Sequence, residues 1–139
     1  MVADVQAALS QFDQQPAAAA GHQGIVGFCF GGGVVWNTLV AGTKLRVSVP
    51  FYGPAPKDLA GLATTPAAVF AVYAEQDTRI TAAAPQMEEQ LKKDGHPYQI
   101  KAYPAVNHAF HNDTGTRYNA VQAEAAWVAT IEWFRKYLP

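Results

Sequence analysis

The amino-acid sequence predicts a single α/β domain spanning residues 1–139, with about four mainly parallel strands and flanking helices. Three observations carry that expectation. Apolar runs of strand length alternate with segments whose apolar residues recur at helical spacing, the pattern of a sheet wrapped by crossover helices. The runs are apolar nearly throughout instead of alternating, as parallel strands covered on both faces are. The chain of 139 residues is half apolar and 12% aromatic, enough for one real core, and shows no repeat and no low-complexity stretch beyond the alanines at 17–20.

The elements follow in order. A helix is expected over about 2–14, where Val2, Val5, Leu9 and Phe12 form one stripe, and a strand over 24–28. A helix over 31–42 leads to a strand over 46–51, and a third strand covers 67–74. A helix over 82–94, a strand over 98–103 and a last helix over 118–137 complete the chain. Trp127, Ile131, Phe134 and Leu138 form the stripe of that last helix, so it and the first helix are expected to lie on the sheet. Trp36, Trp127 and Trp133 are read accordingly as core or interface residues.

Charge and cysteine content narrow the function classes. Ten basic and eleven acidic side chains give a formal charge of −1 with no run of either sign, so nothing asks for nucleic acid or an anionic membrane. Partners are expected to be neutral or small. One cysteine forms neither an internal disulfide nor a thiolate metal cluster, which makes the cytoplasm the default compartment. The opening "MVADVQAALS" carries Asp4 and lacks a basic n-region and a continuous apolar h-region, and no stretch approaches about 20 apolar residues. Neither signal peptide nor membrane span is expected.

The cysteine sits in "GFCFGG", residues 27–32, directly after the first strand and before the first crossover helix. A strand-to-helix turn at that position projects its side chain above the carboxyl edge of a parallel sheet. Gly27 and Gly31, two residues to either side of Cys29, let strand and helix backbones approach. This is the G-x-S-x-G pattern with a thiol in place of the hydroxyl. The helix start also offers unsatisfied N–H groups, whose partial positive charge favours a thiolate and can hold an oxyanion. A buried packing cysteine is the alternative reading.

Two further stretches weigh against packing alone. "AVYAEQD", residues 71–77, ends a strand on a polar turn with Asp77, and "AYPAVNHAF", residues 102–110, leaves the next strand and reaches His108. The order Cys29, Asp77, His108 is nucleophile, acid, histidine, with each residue following a different strand.

On these residues the chain resembles the dienelactone hydrolase family of α/β-hydrolases. The resemblance runs from about Gly24 to the C-terminus and is carried by "GFCFGGG", "FYG" at 51–53, "EQD" at 75–77 with "RIT" following, and "NHAF" at 107–110. It implies a shortened α/β-hydrolase acting on an ester or lactone without a cofactor: Cys29 as nucleophile, His108 as base and then acid, Asp77 as the orienting carboxylate. The backbone N–H of Phe30 is the expected oxyanion donor, with Tyr52, Phe110 and Asn112 expected to line the substrate. Full-length members carry a further half-sheet before the elbow, with a second oxyanion donor, a glutamate and an arginine. Where the family often has an arginine two residues past the phenylalanine, this chain has Asn112, preceded by His111, which argues against dienelactone itself.

His111, three residues from His108, raises a metal site, but no H-E-x-x-H or cysteine pair supports one. His22, His96, Arg79 and Lys101 are read as surface residues. The strand "GIVGF" lacks charge and proline, the usual protections of an edge, so a homodimer joined through that edge is expected; a fold-back of 14–23 is the alternative cover. The competing function class is a catalytically silent, dimeric interaction module of the same fold.

Overall fold

In the computed structural model, which describes residues 1–93 and 95–138, four strands form one parallel sheet in the order β1-β2-β3-β4. They are β1 (Gly24–Phe28), β2 (Val47–Phe51), β3 (Ala68–Ala74) and β4 (Tyr98–Tyr103). Register is fixed by pairs such as Val26 with Val49, Phe51 with Val72 and Ala74 with Tyr103. Every residue of β2 and β3 is buried, on both faces, which is why their sequences read as nearly unbroken apolar runs. The outer strands differ: Val26 and Phe28 of β1 are partly exposed, and Gln99, Lys101 and Ala102 of β4 face solvent.

Alternation along β3 divides the core in two. Val69, Ala71 and Tyr73 face Val35, Trp36, Leu39, Leu62 and Met87, while Phe70 and Val72 face Val47, Val49, Phe51 and Ala126. Helices α2 (Phe30–Val40) and α4 (Ala84–Leu91) cover the first face, and α5 (Ala120–Tyr137) covers the second. Each fully buried large side chain of this kind contributes roughly 1.5–3 kcal/mol relative to exposure.

The helix boundaries have local causes. Asn119 caps α5 by accepting from the Gln122 N–H at 3.1 Å, so the helix starts at Ala120 and not at 118. Past Ala41 the chain leaves α2 through Gly42 at φ 73°, the left-handed conformation that ends helices. The helix expected over 82–94 is α4 alone, over Ala84–Leu91, with Pro85 in its first turn, where the missing N–H costs nothing; a separate short helix, α3 (Thr78–Thr81), precedes it where none was expected, and position 94 lies outside the described residues. A short 3-10 turn at Ala60–Thr64, whose Leu62 is fully buried, has no counterpart in the sequence reading.

Two expected packing faces need correction. Helix α1 (Val2–Asp13) buries no residue and packs along α2 instead of lying on the sheet, with only Leu9 reaching the core and Phe12 exposed. Helix α5 lies on the sheet with Phe134 and Leu138 of the expected stripe packed against the core, but its most buried residues are Ala123, Ala126 and Thr130, with Trp133 partly buried beside them. Small side chains let the helix axis come close to the sheet, and the Thr130 hydroxyl is satisfied by the Ala126 carbonyl at 2.8 Å. Trp127 is consequently rotated out of the core and is 41% exposed. Trp36 is fully buried, and Trp133 packs on Phe70 while donating to the Ala68 carbonyl at 3.2 Å.

Candidate active site

The carboxyl ends of β1, β3 and β4 converge on one surface. Cys29 stands between β1 and α2 with φ 54° and ψ −117°, a conformation strained for any L-residue with a side chain. The strain is held by neighbours: the Cys29 N–H donates to the Phe51 carbonyl at 3.0 Å, and its own carbonyl accepts from Gly33 at 3.2 Å. A Cβ on Gly27 would overlap the Gly31 carbonyl, so the turn depends on glycine at 27. Gly31 is different, since a Cβ there would meet nothing; the expected symmetry of the two glycines does not hold. The thiol is free and exposed.

Lacing between two loops sets the other two side chains. After β3, the Glu75 N–H donates to the Tyr103 carbonyl and the Gln76 N–H to the Val106 carbonyl, both at 3.0 Å. The Glu75 carboxylate accepts from the Ala105 N–H at 2.9 Å, in a turn where Ala105 takes φ 56°. These bonds tie the Asp77 loop to the His108 loop. Asp77 is buried at 7% exposure, and its Oδ2 lies 2.6 Å from His108 Nδ1. On the opposite side of the ring, His108 Nε2 lies 3.0 Å from Cys29 Sγ. With Nδ1–H donating to the carboxylate, Nε2 is the acceptor facing the thiol.

A cavity of about 550 Å³ opens over the thiol, lined by Phe28, Cys29, Tyr52, Ala109, His111, Asn112 and Asp113. Tyr52 is buried, takes φ 35° and sets its ring 5.0 Å from the His108 ring. Burial, and then the nearby Cys29, push its hydroxyl up to about 12, so it stays a neutral donor at physiological pH. Asn112 lines the cavity with its Oδ1 engaged by Thr114 at 2.8 Å. Phe110 is a correction: it is fully buried against Tyr52 and Tyr103 and lines no wall, because the chain at Ala109, φ 66°, turns it into the core. The Phe30 N–H opens α2 and has no carbonyl one turn behind it within the helix.

Phe28 and His111 were not among the lining residues expected from sequence. His111 lies between Phe28, at 5.2 Å between centroids, and Trp127, at 5.8 Å, with its ring tilted to both, and burial pushes its imidazole below the ordinary histidine value. Phe28 had a signal in flanking the cysteine; the contact of His111 with Trp127 joins two distant segments and had none. Among the described residues, no group of three or more His, Cys, Asp or Glu could hold a metal ion, and no helix is long and apolar enough to cross a membrane. His22, Arg79 and Lys101 are exposed.

A parallel sheet with helices on both faces, and a residue poised on a strained strand-to-helix turn at its carboxyl edge, is the α/β-hydrolase architecture. A dienelactone hydrolase-like promiscuous phosphotriesterase from metagenomic libraries superimposes with a TM-score of 0.88 at 20% identity, covering 99% of this chain and 62% of that one. A dienelactone hydrolase from Anabaena variabilis gives 0.78 at 19%, covering 99% and 60%. The profile described as "Dienelactone hydrolase family" matches residues 1–138, and the chain belongs to that family. The match includes α1 and so extends further than the resemblance from Gly24 onward. A relative named "Putative carboxymethylenebutenolidase" from Saccharolobus solfataricus is 32% identical over 111 residues, covering 80% of this chain and 43% of its own length. One of the same name from Methylorubrum extorquens is 29% identical over 147 residues, covering 99% and 50%. The chain thus spans about half the length of the curated relatives it matches.

Proposed function

We propose that the chain hydrolyses carboxylic ester or lactone bonds, with Cys29 as nucleophile, His108 as base and then acid, and Asp77 as the carboxylate that orients the imidazole. The observation carrying this reading is one unbroken line of contacts, 3.0 Å from Sγ to Nε2 and 2.6 Å from Nδ1 to Oδ2, opening on a cavity. Membership of the dienelactone hydrolase family supports hydrolysis, and the name carboxymethylenebutenolidase among the relatives points to lactones.

The chemistry follows from the atoms in contact. Nε2 takes the thiol proton as Sγ bonds to the carbonyl carbon, and the carbonyl electron pair moves onto oxygen, within reach of the Phe30 N–H. Collapse of that intermediate breaks the bond to the leaving alkoxide, which receives the proton held on Nε2. A thioester remains. Water then attacks it with Nε2 as base, the carboxylic acid departs, and the proton returns to sulfur. Asp77 accepts from Nδ1–H throughout and stabilises the imidazolium formed in each half.

The proposed assembly is a homodimer joined along β1. Its support is the unpaired outer edge of β1 in the chain, where Val26 and Phe28 are each 37% exposed and no charged residue guards the backbone. The enzymatic reading is tested by initial rates on a short aryl ester and an unsubstituted lactone. Wild type is expected to turn over at least one, and Cys29→Ala and His108→Ala neither. Turnover that persists in Cys29→Ala overturns the assignment.

A further inference from the structure

The cavity over the thiol does not end at His111. A second cavity of about 340 Å³ adjoins it, since His111 and Asp113 line both, and its remaining walls include Trp127, Tyr118 and Glu124. On the proposed hydrolytic reading, we infer that this second cavity receives a positively charged amine, so that the substrates are esters carrying an ammonium group beyond the reacting carbonyl.

The chemistry of the walls selects that group. Trp127 and Tyr118 are 41% and 44% exposed, and an aromatic face attracts a cation through its quadrupole. Asp113 and Glu124 add two carboxylates, and neither is in a salt bridge among the described residues, so their charge is open to a ligand. Among the described residues, no lysine or arginine lines either cavity. Arg117 donates from Nη1 to the His108 carbonyl at 3.4 Å and lines a third cavity, which meets the cavity over the thiol at Ala109 and shares no residue with the second one. Nor does His111 supply a counter-charge, because burial among rings favours its neutral form. Within the second cavity a substrate carboxylate would meet two like charges and no cationic wall, Lys101 standing in the neighbouring cavity that shares Glu124, and an uncharged group would gain ring contact alone.

The test uses three acetate esters of matched shape: trimethylammonioethyl acetate, its uncharged 3,3-dimethylbutyl isostere, and a carboxylate-bearing analogue. The ammonium ester is expected to exceed the uncharged one by about tenfold in kcat/KM, with the carboxylate ester slowest. The ammonium-to-uncharged ratio should fall about threefold to fivefold in Trp127→Ala and in Asp113→Asn. Raising the salt should narrow the advantage, as screened attraction requires. Hydrolysis of all three with no preference, or with the carboxylate ester preferred, overturns the inference and leaves the hydrolytic reading standing. No hydrolysis of any ester and no acyl group on Cys29 overturns that reading and the substrate class with it.

Discussion

Replacing Gly27 by alanine tests the geometry on which the nucleophile turn depends. The added Cβ would fall 2.5 Å from the Gly31 carbonyl carbon and 2.9 Å from Val35 Cγ2, where ordinary carbon contacts are about 3.5–4.0 Å. Relief requires α2 to move about 1 Å off β1, because the first obstacle is backbone. That helix is not free to slide, since Gly32 and Gly33 already lie against Gly53 and Pro54 with no room for a Cβ. A cost of about 2–3 kcal/mol is expected, near the top of the range for overpacking, against a typical domain stability of roughly 5–15 kcal/mol. The urea midpoint should fall by about 1–2 M. Gly31→Ala is the control, as its Cβ meets nothing, and alanine in a helix gains about 0.5–1 kcal/mol over glycine. Equal effects of the two substitutions, in either direction, would refute the packing argument.

Asp77→Asn keeps the shape of the loop but gives Nδ1 an amide in place of a carboxylate; kcat is expected to fall about 10²–10⁴-fold, by less than in His108→Ala, and a loss under threefold in steady-state assays would count against the orienting role. Stability should carry a component that depends on His111. Its folded pKa lies below the ordinary 6.5, so both states are neutral above that value, and as pH falls through it the unfolded chain takes up a proton that the folded chain resists. Urea midpoints should therefore decline below pH 6.5 in wild type, and less steeply in His111→Gln. Light scattering on a gel-filtration peak should give a dimer for wild type and a monomer for Val26→Lys, and a monomeric wild type would refute pairing along β1.

The strands were legible because β2 and β3 are buried on both faces, and a fully covered strand can only be written in apolar residues. Helix faces were less so. Reading α5 by its largest residues selects Trp127, Ile131 and Phe134, yet alanines and a self-satisfied threonine make the closest contact with the sheet, and small residues leave a weak periodic signal. Helix α3 and the 3-10 turn are too short to show any period. The convergence of Cys29, Asp77 and His108 was visible because each lies in the segment that leaves the carboxyl end of a different strand, and all parallel strands end at one edge. What holds them together was not. Glu75 reaches Ala105 across thirty positions, and Ala109 reverses the chain so that Phe110 leaves the site while His111 stays in it. Such effects arise from tertiary contacts and from left-handed backbone at non-glycine residues, neither of which sequence spacing encodes.

The central claim, that Cys29 is acylated with His108 as its base, is tested most directly by intact-mass and peptide mass spectrometry after rapid quenching with an activated aryl ester. A single acyl group on the peptide containing Cys29 is predicted in wild type. It should form at least about 10⁴-fold more slowly in His108→Ala, the top of the range for a lost general base. Turnover of the same ester with no acyl group on Cys29 at any time, or equal acylation rates in wild type and His108→Ala, would contradict the account.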